Sequence, residues 1–350
     1  MRVIVRFFLC LSALTAVLSC SRSSHYVTFT GFAQGGTYTV KYNPEGTDCT
    51  PEEVRDSVDA LLRDIDNSLS GYNKKSLLSR FNSGETIVPD VLFKEIYRIA
   101  FDVFDQTSGA VDAAAGPLFD IWGFGFANDS LPSDVKVRQV MQSCGIARLN
   151  RNMDEAVSAD GSLSMSDLLV DQSASVKLNY NAIAQGYSCD VVAGYLYSIG
   201  VKDMLVDIGE IFCDGVNPSG KSWTLAIDRP EDGNNQPGAQ IQGIFRVPSG
   251  PHGIVTSGNY RKFYVRDGKK YAHTVDPRTG YPVEHTLLSA TVVAPDATLA
   301  DACATYCMVI GLEASREFIS SRADLEACLI YDDEGVFRTW TSSGFTLEEN

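Results

Sequence analysis

The segment that most constrains this chain is Thr50-Pro51-Glu52-Glu53, followed by Val54, Val58, Leu61, Leu62, Ile65 and Leu69 at helical spacing. Thr50 is placed as an N-cap, Pro51 at the first helical position, and Glu53 where its side chain reaches back to close a capping box. The apolar stripe makes one helix face core. What precedes it has a different period. Tyr26 to Tyr42 alternates apolar and polar residues around Gly35-Gly36, as two short strands joined by a turn would. A second helix is expected from an Asp90 cap through Leu92, Ile96, Ile99 and Val103, and a third, short one from Ser133 to Gly145. From Val176 the expected order is strand, helix over 182–199 stopped by Gly200, strand over 204–208, and then short strands to Val293, with Gly233 to Gly238 a polar surface loop. Asp296 caps a late helix, Gly311 ends its first part, and 312–321 continues it. Segments 328–331 and 336–340 close as a hairpin over Asp-Glu-Gly. Strands and helices without a repeating unit predict an α+β fold.

Charge narrows the partners. With 29 Lys+Arg against 44 Asp+Glu the net charge is -15, and no basic run offsets it, so a nucleic acid is excluded as a partner. If such a chain handles a phosphate compound, a local cation must overcome its negative field, which points to a divalent metal.

The first nineteen residues read as a targeting segment. Arg2 and Arg6 form a positive start, Phe7 to Leu18 an apolar run too short to span a bilayer comfortably, and Val17-Leu18-Ser19-Cys20 has the pattern of a bacterial lipoprotein signal, in which Cys20 becomes the acylated N-terminus. The expected organisation is therefore a signal peptide over 1–19, a linker over 20–25 and one domain over 26–350. Ser21 after Cys20 leans the choice of membrane towards the outer one. Seven cysteines remain at 49, 144, 189, 213, 303, 307 and 328, scattered and without a C-x-x-C pair, so they are expected as buried free thiols rather than a disulfide framework or a metal-thiolate site.

Four segments are rich in Gly, Thr, Ser and Asp: Thr107 to Asp112 with Gly116-Pro117-Leu118, Asn179 to Tyr187, Thr256 to Arg261, and His273 to Gly280. Each taken singly is first a turn, but together they offer backbone N–H groups and hydroxyls to a ligand. Asp301 and Thr305, at i and i+4 of the late helix, put a carboxylate and a hydroxyl on one face, the beginning of a hard oxygen site of the kind Mg²⁺ takes. The carboxylate is expected at the surface of a cleft.

The ordered set Ser70-Gly-Tyr-Asn-Lys-Lys-Ser76 with Arg80-Phe-Asn82, Gly109-Ala-Val-Asp112, Gly116-Pro-Leu118 with Trp122-Gly-Phe-Gly125, Ile183-Ala-Gln-Gly-Tyr187, Thr256-Ser-Gly-Asn-Tyr-Arg261, His273 with Asp276-Pro-Arg-Thr-Gly280, and Ala300-Asp301 with Thr305 resembles the ApbE family of FAD:protein FMN transferases, formerly described as thiamine-biosynthesis lipoproteins. The resemblance implies an α+β flavin-transferase fold, mixed sheets with flanking helices and an FAD cleft, and Mg²⁺-dependent transfer of the FMN half of FAD to a Thr or Ser hydroxyl of an exported protein, with AMP leaving. It implies a metal held by the main-chain oxygen of Ala182 and the side chains of Asp301 and Thr305. It further implies flavin and nucleotide contacts at Gly35, Tyr72, Ala110, Val111, Asp112, Asn179, Gln185 and Val275. Gly35 stands where the family commonly has Met, Asn179 where it has Asp, Gln185 where it has Lys or Glu, and Glu210 where it has Gly. The family's targets include subunits of sodium-pumping NADH:quinone reductase and Rnf-type electron-transport complexes.

Attack of a hydroxyl on a pyrophosphate phosphorus needs a cation, donors for the nonbridging oxygens and a base. Thr256 and Ser257 are candidate donors, and His273 and Asp276 candidate base and orienting group. Three outcomes remain open: a transferase, an FAD diphosphatase giving FMN and AMP, or a flavin-carrying lipoprotein.

Overall fold

The computed structural model describes residues 26–124, 131–231, 233–234, 236, 238–259, 263–266, 269–272 and 274–349. The signal segment, Cys20 with the linker, Gly125, Tyr260, Arg261 and His273 lie outside the described residues.

The alternating N-terminal segment forms β1 (Val27–Ala33) and β2 (Gly36–Tyr42), paired antiparallel across Gln34-Gly35, both of which have positive φ. Then come α1 (Pro51–Leu69), α2 (Leu77–Asn82), α3 (Val91–Gln106), α4 (Gly116–Ile121), α5 (Asp134–Ser143), and the single turns α6 (Met153–Ala156) and α7 (Met165–Leu168). The caps are the expected ones: Thr50 and Glu53 complete the capping box of α1, Asp90 accepts from Phe93 N–H at 2.8 Å, and Ser133 opens α5. Each supplies an acceptor for an N–H that the helix itself leaves unpaired.

The strand expected at Val176 is not formed; only Lys177 makes an isolated bridge, parallel to Ala115. The Asn82 side chain is the reason. Its Oδ1 accepts from Leu178 N–H and its Nδ2 donates to the Leu178 carbonyl, each at 2.8 Å, so an amide takes the groups a ladder would need.

There follow α8 (Ala184–Ser198), β3 (Met204–Asp207), β4 (Ile211–Asp214), β5 (Thr224–Asp228), β6 (Ile241–Arg246), β7 (His252–Gly258), β8 (Phe263–Arg266), β9 (Lys269–Ala272), β10 (Val275–Asp276), β11 (Tyr281–Pro282), β12 (Leu287–Ala294), α9 (Ala297–Ile310), α10 (Leu312–Ser320), β13 (Glu326–Asp333), β14 (Val336–Thr341) and β15 (Leu347–Glu349). The main sheet runs β1-β2-β3-β4-β7-β12-β13-β14, antiparallel at every described pairing. A smaller sheet, β15-β6-β5, lies on its other side.

The strand period of two sorts the central strands between two cores. Val255, Ala290, Val292, Ala294, Ala327 and Leu329 pack with Ala300, Cys303, Ala304 and Met308 of α9. Their alternates Ile254, Val293, Cys328 and Ile330 pack with Trp223, Ile227 and Phe245 of the smaller sheet. The result is three layers, helices on one face and a small sheet on the other, which is the α+β architecture expected. The seven cysteines are free, and all but Cys49 are buried, as small hydrophobes in an apolar interior.

Candidate active site

Several of the expected site residues, among them Ala182, Asp301, Thr305 and Ser257, come together where the start of α8 meets α9. Ala182 and Ile183 form the turn into α8, and the first helical bond runs from Tyr187 N–H to the Ile183 carbonyl at 2.9 Å, leaving the Ala182 carbonyl outside the ladder. Gly186 N–H, an orphan donor of the first turn, donates instead to Asp301 Oδ2 at 3.1 Å. Gly186 permits this approach because a Cβ there would lie 2.2 Å from the Ala297 carbonyl oxygen and 2.9 Å from Asp301 Cβ.

Asp301 is not at the surface as expected: it is 3% exposed. Its position on α9, between α8 and the sheet, puts it under the helix start rather than on the cleft wall. Burial pushes its carboxyl up, the Gly186 N–H holds it down in part, and the charge of Asp190 pushes it up further. One turn on, Thr305 Oγ1 lies 3.5 Å from Ser257 Oγ. Ser257 is thus brought to the site.

Thr256 is not. It has the parity of Ile254, on the face of β7 opposite Ser257, where it is exposed and its hydroxyl lies 2.8 Å from that of its cross-strand partner Thr291. Thr256 and Ser257 therefore lie on opposite faces of β7, and it is Ser257 that stands beside Thr305. Ser257→Ala is expected to lower turnover about tenfold, the worth of one hydrogen bond to a charged group, while Thr256→Val stays near wild type. Steady-state rates of both variants check this, and equal losses would contradict the assignment of faces.

Four expected cofactor residues rim the same helix start. Tyr72 is 61% exposed on the loop after α1, and its hydroxyl accepts from Asn181 Nδ2 at 3.4 Å. Asn179 Oδ1 accepts from Asn181 N–H at 2.9 Å, shaping the turn. Gln185 Nε2 donates to the Ile208 carbonyl at 3.2 Å, tying α8 to the β3–β4 loop. Gly35 sits at the β1–β2 tip, and its neighbour Gln34 donates to Ser188 Oγ of α8.

Elsewhere the structure redirects the expected contacts. Asp112 is buried, and its carboxylate accepts from Ala114 N–H at 2.8 Å and from Ile146 N–H at 3.0 Å, so it pins its own turn to the segment after α5 rather than presenting a free carboxylate. Burial pushes its carboxyl up and these N–H groups pull it back. Ala110 and Val111 are likewise buried, with the Val111 side chain in the core around α3. That turn still joins the site, because Asn179 N–H donates to the Ala113 carbonyl at 2.6 Å.

His273 lies outside the described residues, and its candidate orienting group Asp276 is already paired. Arg278 holds it in a fork, Nε to Oδ1 and NH2 to Oδ2 at 2.9 Å each, within the turn between β10 and β11. Val275 beside it is buried against Trp122 and Val137. The pair reaches the site through Thr274, whose hydroxyl donates to Asn259 Oδ1 at 3.1 Å, just past Ser257 and the end of β7. A cleft of about 910 Å³ opens between this turn and α9–α10, lined by Asp276, Arg278, Tyr281, Tyr306 and Phe318. Asp301 and Thr305 do not line it, so the buried donors and the open cleft are neighbouring features rather than one.

Sequence reasoning passed over Gly186 and Asp190 as positions with roles of their own. A glycine within an otherwise helical run was the available signal for the first, since it marks close approach of another backbone. Nothing in the sequence around Asp190 singled it out.

The same fold occurs in known proteins. The ApbE family model matches residues 34–329. The FAD:protein FMN transferase of Escherichia coli (strain K12) is 33% identical over 302 residues, covering 84% of this chain and 81% of that protein. That of Vibrio cholerae serotype O1 is 31% identical over 341 residues, covering 96% of each. Among solved structures, the flavin transferase ApbE from Vibrio cholerae superposes with a TM-score of 0.72 at 30% identity, over 91% of this chain and 97% of that one. The apo form of Pseudomonas stutzeri flavinyl transferase ApbE gives a TM-score of 0.75 at 30% identity, over 91% and 95%. Motif order, layer architecture and full-length similarity agree, and the chain belongs to the ApbE family.

Proposed function

We propose that this chain is an FAD:protein FMN transferase, moving the FMN half of FAD onto a Thr or Ser hydroxyl of an exported protein, with Mg²⁺, and releasing AMP. The observation that carries the reading is the meeting of α8 and α9, which gathers the Ala182 turn, Asp301, Thr305 and Ser257 in a chain of this family. The donor set fits the ion: every group is a hard oxygen, and a carboxylate buried against its own charge is one for which a cation is a favourable partner. When bound there, Mg²⁺ would supply neutralisation of the charge that develops on the phosphate oxygens.

The chain's own residues supply the rest. Asp301, Thr305 and the Ala182 carbonyl would hold the ion, and the α8 turn carries Gln185 and Asn179 beside them. The acceptor Oγ forms a bond to the FMN phosphorus as the bond from that phosphorus to the bridging oxygen breaks. AMP leaves with the bridging oxygen, and the hydroxyl proton passes to a base. His273 is the candidate base, with Asp276 bound to Arg278 as the anchor of the turn that follows it.

Incubation with FAD, Mg²⁺ and a candidate acceptor, such as a redox-complex subunit, tests the reading by in-gel flavin fluorescence and AMP release. A fluorescent acceptor with matching AMP is expected. Free FMN and AMP with an unlabelled acceptor would identify a diphosphatase, and bound FAD without AMP a carrier.

Tyr72 is proposed to stack on the isoalloxazine. It lies 61% exposed on a loop at the helix start, beside Asn181, and an aromatic pair adds about 0.5–1.5 kcal/mol beyond area burial. Tyr72→Ala is expected to weaken FAD binding roughly 2- to 13-fold and to leave turnover at saturating FAD little changed. Equal dissociation constants in a fluorescence titration would remove Tyr72 from the flavin site.

The enzyme is further proposed to be a lipoprotein anchored by Cys20 on the periplasmic side of a bacterial membrane, where an exported acceptor is reachable. The Val17-Leu18-Ser19-Cys20 pattern supports this. Cys20→Ala is expected to move the protein from the membrane fraction to the soluble periplasm, and a variant still in the membrane fraction would reject the anchor.

A further inference from the structure

We infer that Asp190 is a positioning residue for the proposed reaction: from α8 it sets the register of α9 that places Asp301 and Thr305, an inference that rests on the functional reading above. The accounting of N–H groups at the start of α9 leads to it. Leu299 N–H donates to the N-cap Asp296 Oδ1 at 2.7 Å, and Ala300 N–H to the Asp296 carbonyl at 3.2 Å. The first two donors, Ala297 and Thr298, are beyond that cap. They donate to Asp190 Oδ1 and Oδ2, each at 2.8 Å, and the Thr298 hydroxyl adds a third bond to Oδ2. A residue of another helix thus completes the cap.

The tie is reciprocal. Gly186 of α8 donates to Asp301 of α9, while Asp190, four residues later on α8, accepts from Ala297, four residues earlier on α9. The two links therefore run antiparallel along the pair, and sliding α9 by one turn would break both. No side chain separates the helices at Gly186, and Gly253 of β7 closes the opposite side, where a Cβ would lie 2.3 Å from Ala297 N and Cα. Contact resists tilting of α9, and the paired carboxylates add two directed ties along its axis, beside the bond of His285 Nε2 to the Met308 carbonyl at its far end. Asp190 would act through α9 and not on the substrate.

The test titrates Mg²⁺ alone into the purified chain, without FAD, and follows the melting temperature, with transfer kinetics measured in parallel. Asp190→Asn is expected to raise the Mg²⁺ concentration for half-maximal stabilisation about 10- to 100-fold, as loss of a group supporting a metal ligand does, with kcat at saturating Mg²⁺ retained far better than the metal constant. Thr298→Val, which removes one bond and keeps the carboxylate, should shift it less in the same direction. Asp90→Ala, which uncaps α3, should lower the melting temperature and leave the metal constant alone. A destabilised Asp190→Asn with the wild-type metal constant would reduce Asp190 to an ordinary cap and overturn the inference. If that variant does not fold, an unshifted Thr298→Val overturns it equally. A wild type that Mg²⁺ does not stabilise would instead bring down the functional reading and this inference together.

Discussion

Asp301→Ala is expected to abolish FMN transfer, lowering AMP release at least about 10²- to 10³-fold, the loss that follows removal of a group stabilising transition-state charge. Stability should respond far less. The substitution leaves the Gly186 N–H, now without its acceptor, at a cost of about 1–3 kcal/mol, while removal of a buried carboxylate that burial already disfavours offsets part of that cost. Asp301→Asn retains an oxygen for Gly186 and should melt close to wild type while remaining inactive. AMP release and a melting curve measured on both variants separate the two roles. Turnover retained in both would remove Asp301 from the chemistry, whereas activity lost only in step with the folded fraction would make it a structural link between helices.

Gly186→Ala should be the most damaging single methyl group in the chain's helices. The added Cβ meets the Ala297 carbonyl oxygen at 2.2 Å, and that neighbour is backbone, which has no rotamer to escape into. Overpacking of this kind costs typically about 1–3 kcal/mol, and here relief requires separating α8 from α9, which pulls Asp301 from the Ala182 turn. A fall in melting temperature together with turnover reduced beyond the loss of folded protein is expected. Gly194→Ala on the same helix is the control, since a Cβ there meets nothing within 4 Å, and helix propensity alone should make it neutral or stabilising by up to about 1 kcal/mol. Matching losses in the two variants would show that propensity, not close approach, governs Gly186.

These two residues show where the sequence was legible and where it was not. The caps at Thr50, Asp90, Ser133 and Asp296 were readable because a cap is a relation among residues three or four apart. The β1–β2 hairpin and the Glu334-Gly335 turn were readable for the same reason. Asp301 with Thr305 was readable as a pair because helical spacing puts i and i+4 on one face. Its burial was not, because that depends on Gly186, far earlier in the chain. Thr256 and Ser257 looked equivalent as neighbours, and their separation onto opposite faces needed the knowledge that β7 is a central strand with a core on each side. Asp276 read as available until its turn closed and Arg278 folded back on it.

By itself, then, the sequence determined the order and type of most elements, the acidic character that calls for a cation wherever phosphate is handled, and the set of motifs that marks the family, all of which depend on local spacing or on the chain's total charge. The strand expected at Val176 did not form, and its cause was remote: Asn82 occupies the backbone of Leu178; the short helices α2, α4, α6 and α7 and strand β15 were not expected. Only the tertiary structure decided which side chains remain available to a ligand. Burial, the competition of distant N–H groups for a carboxylate, and the reciprocal tie of Asp190 and Asp301 across α8 and α9 are set by contacts spanning more than a hundred residues. No local period encodes such contacts, because they form only when the sheet brings the two helices side by side.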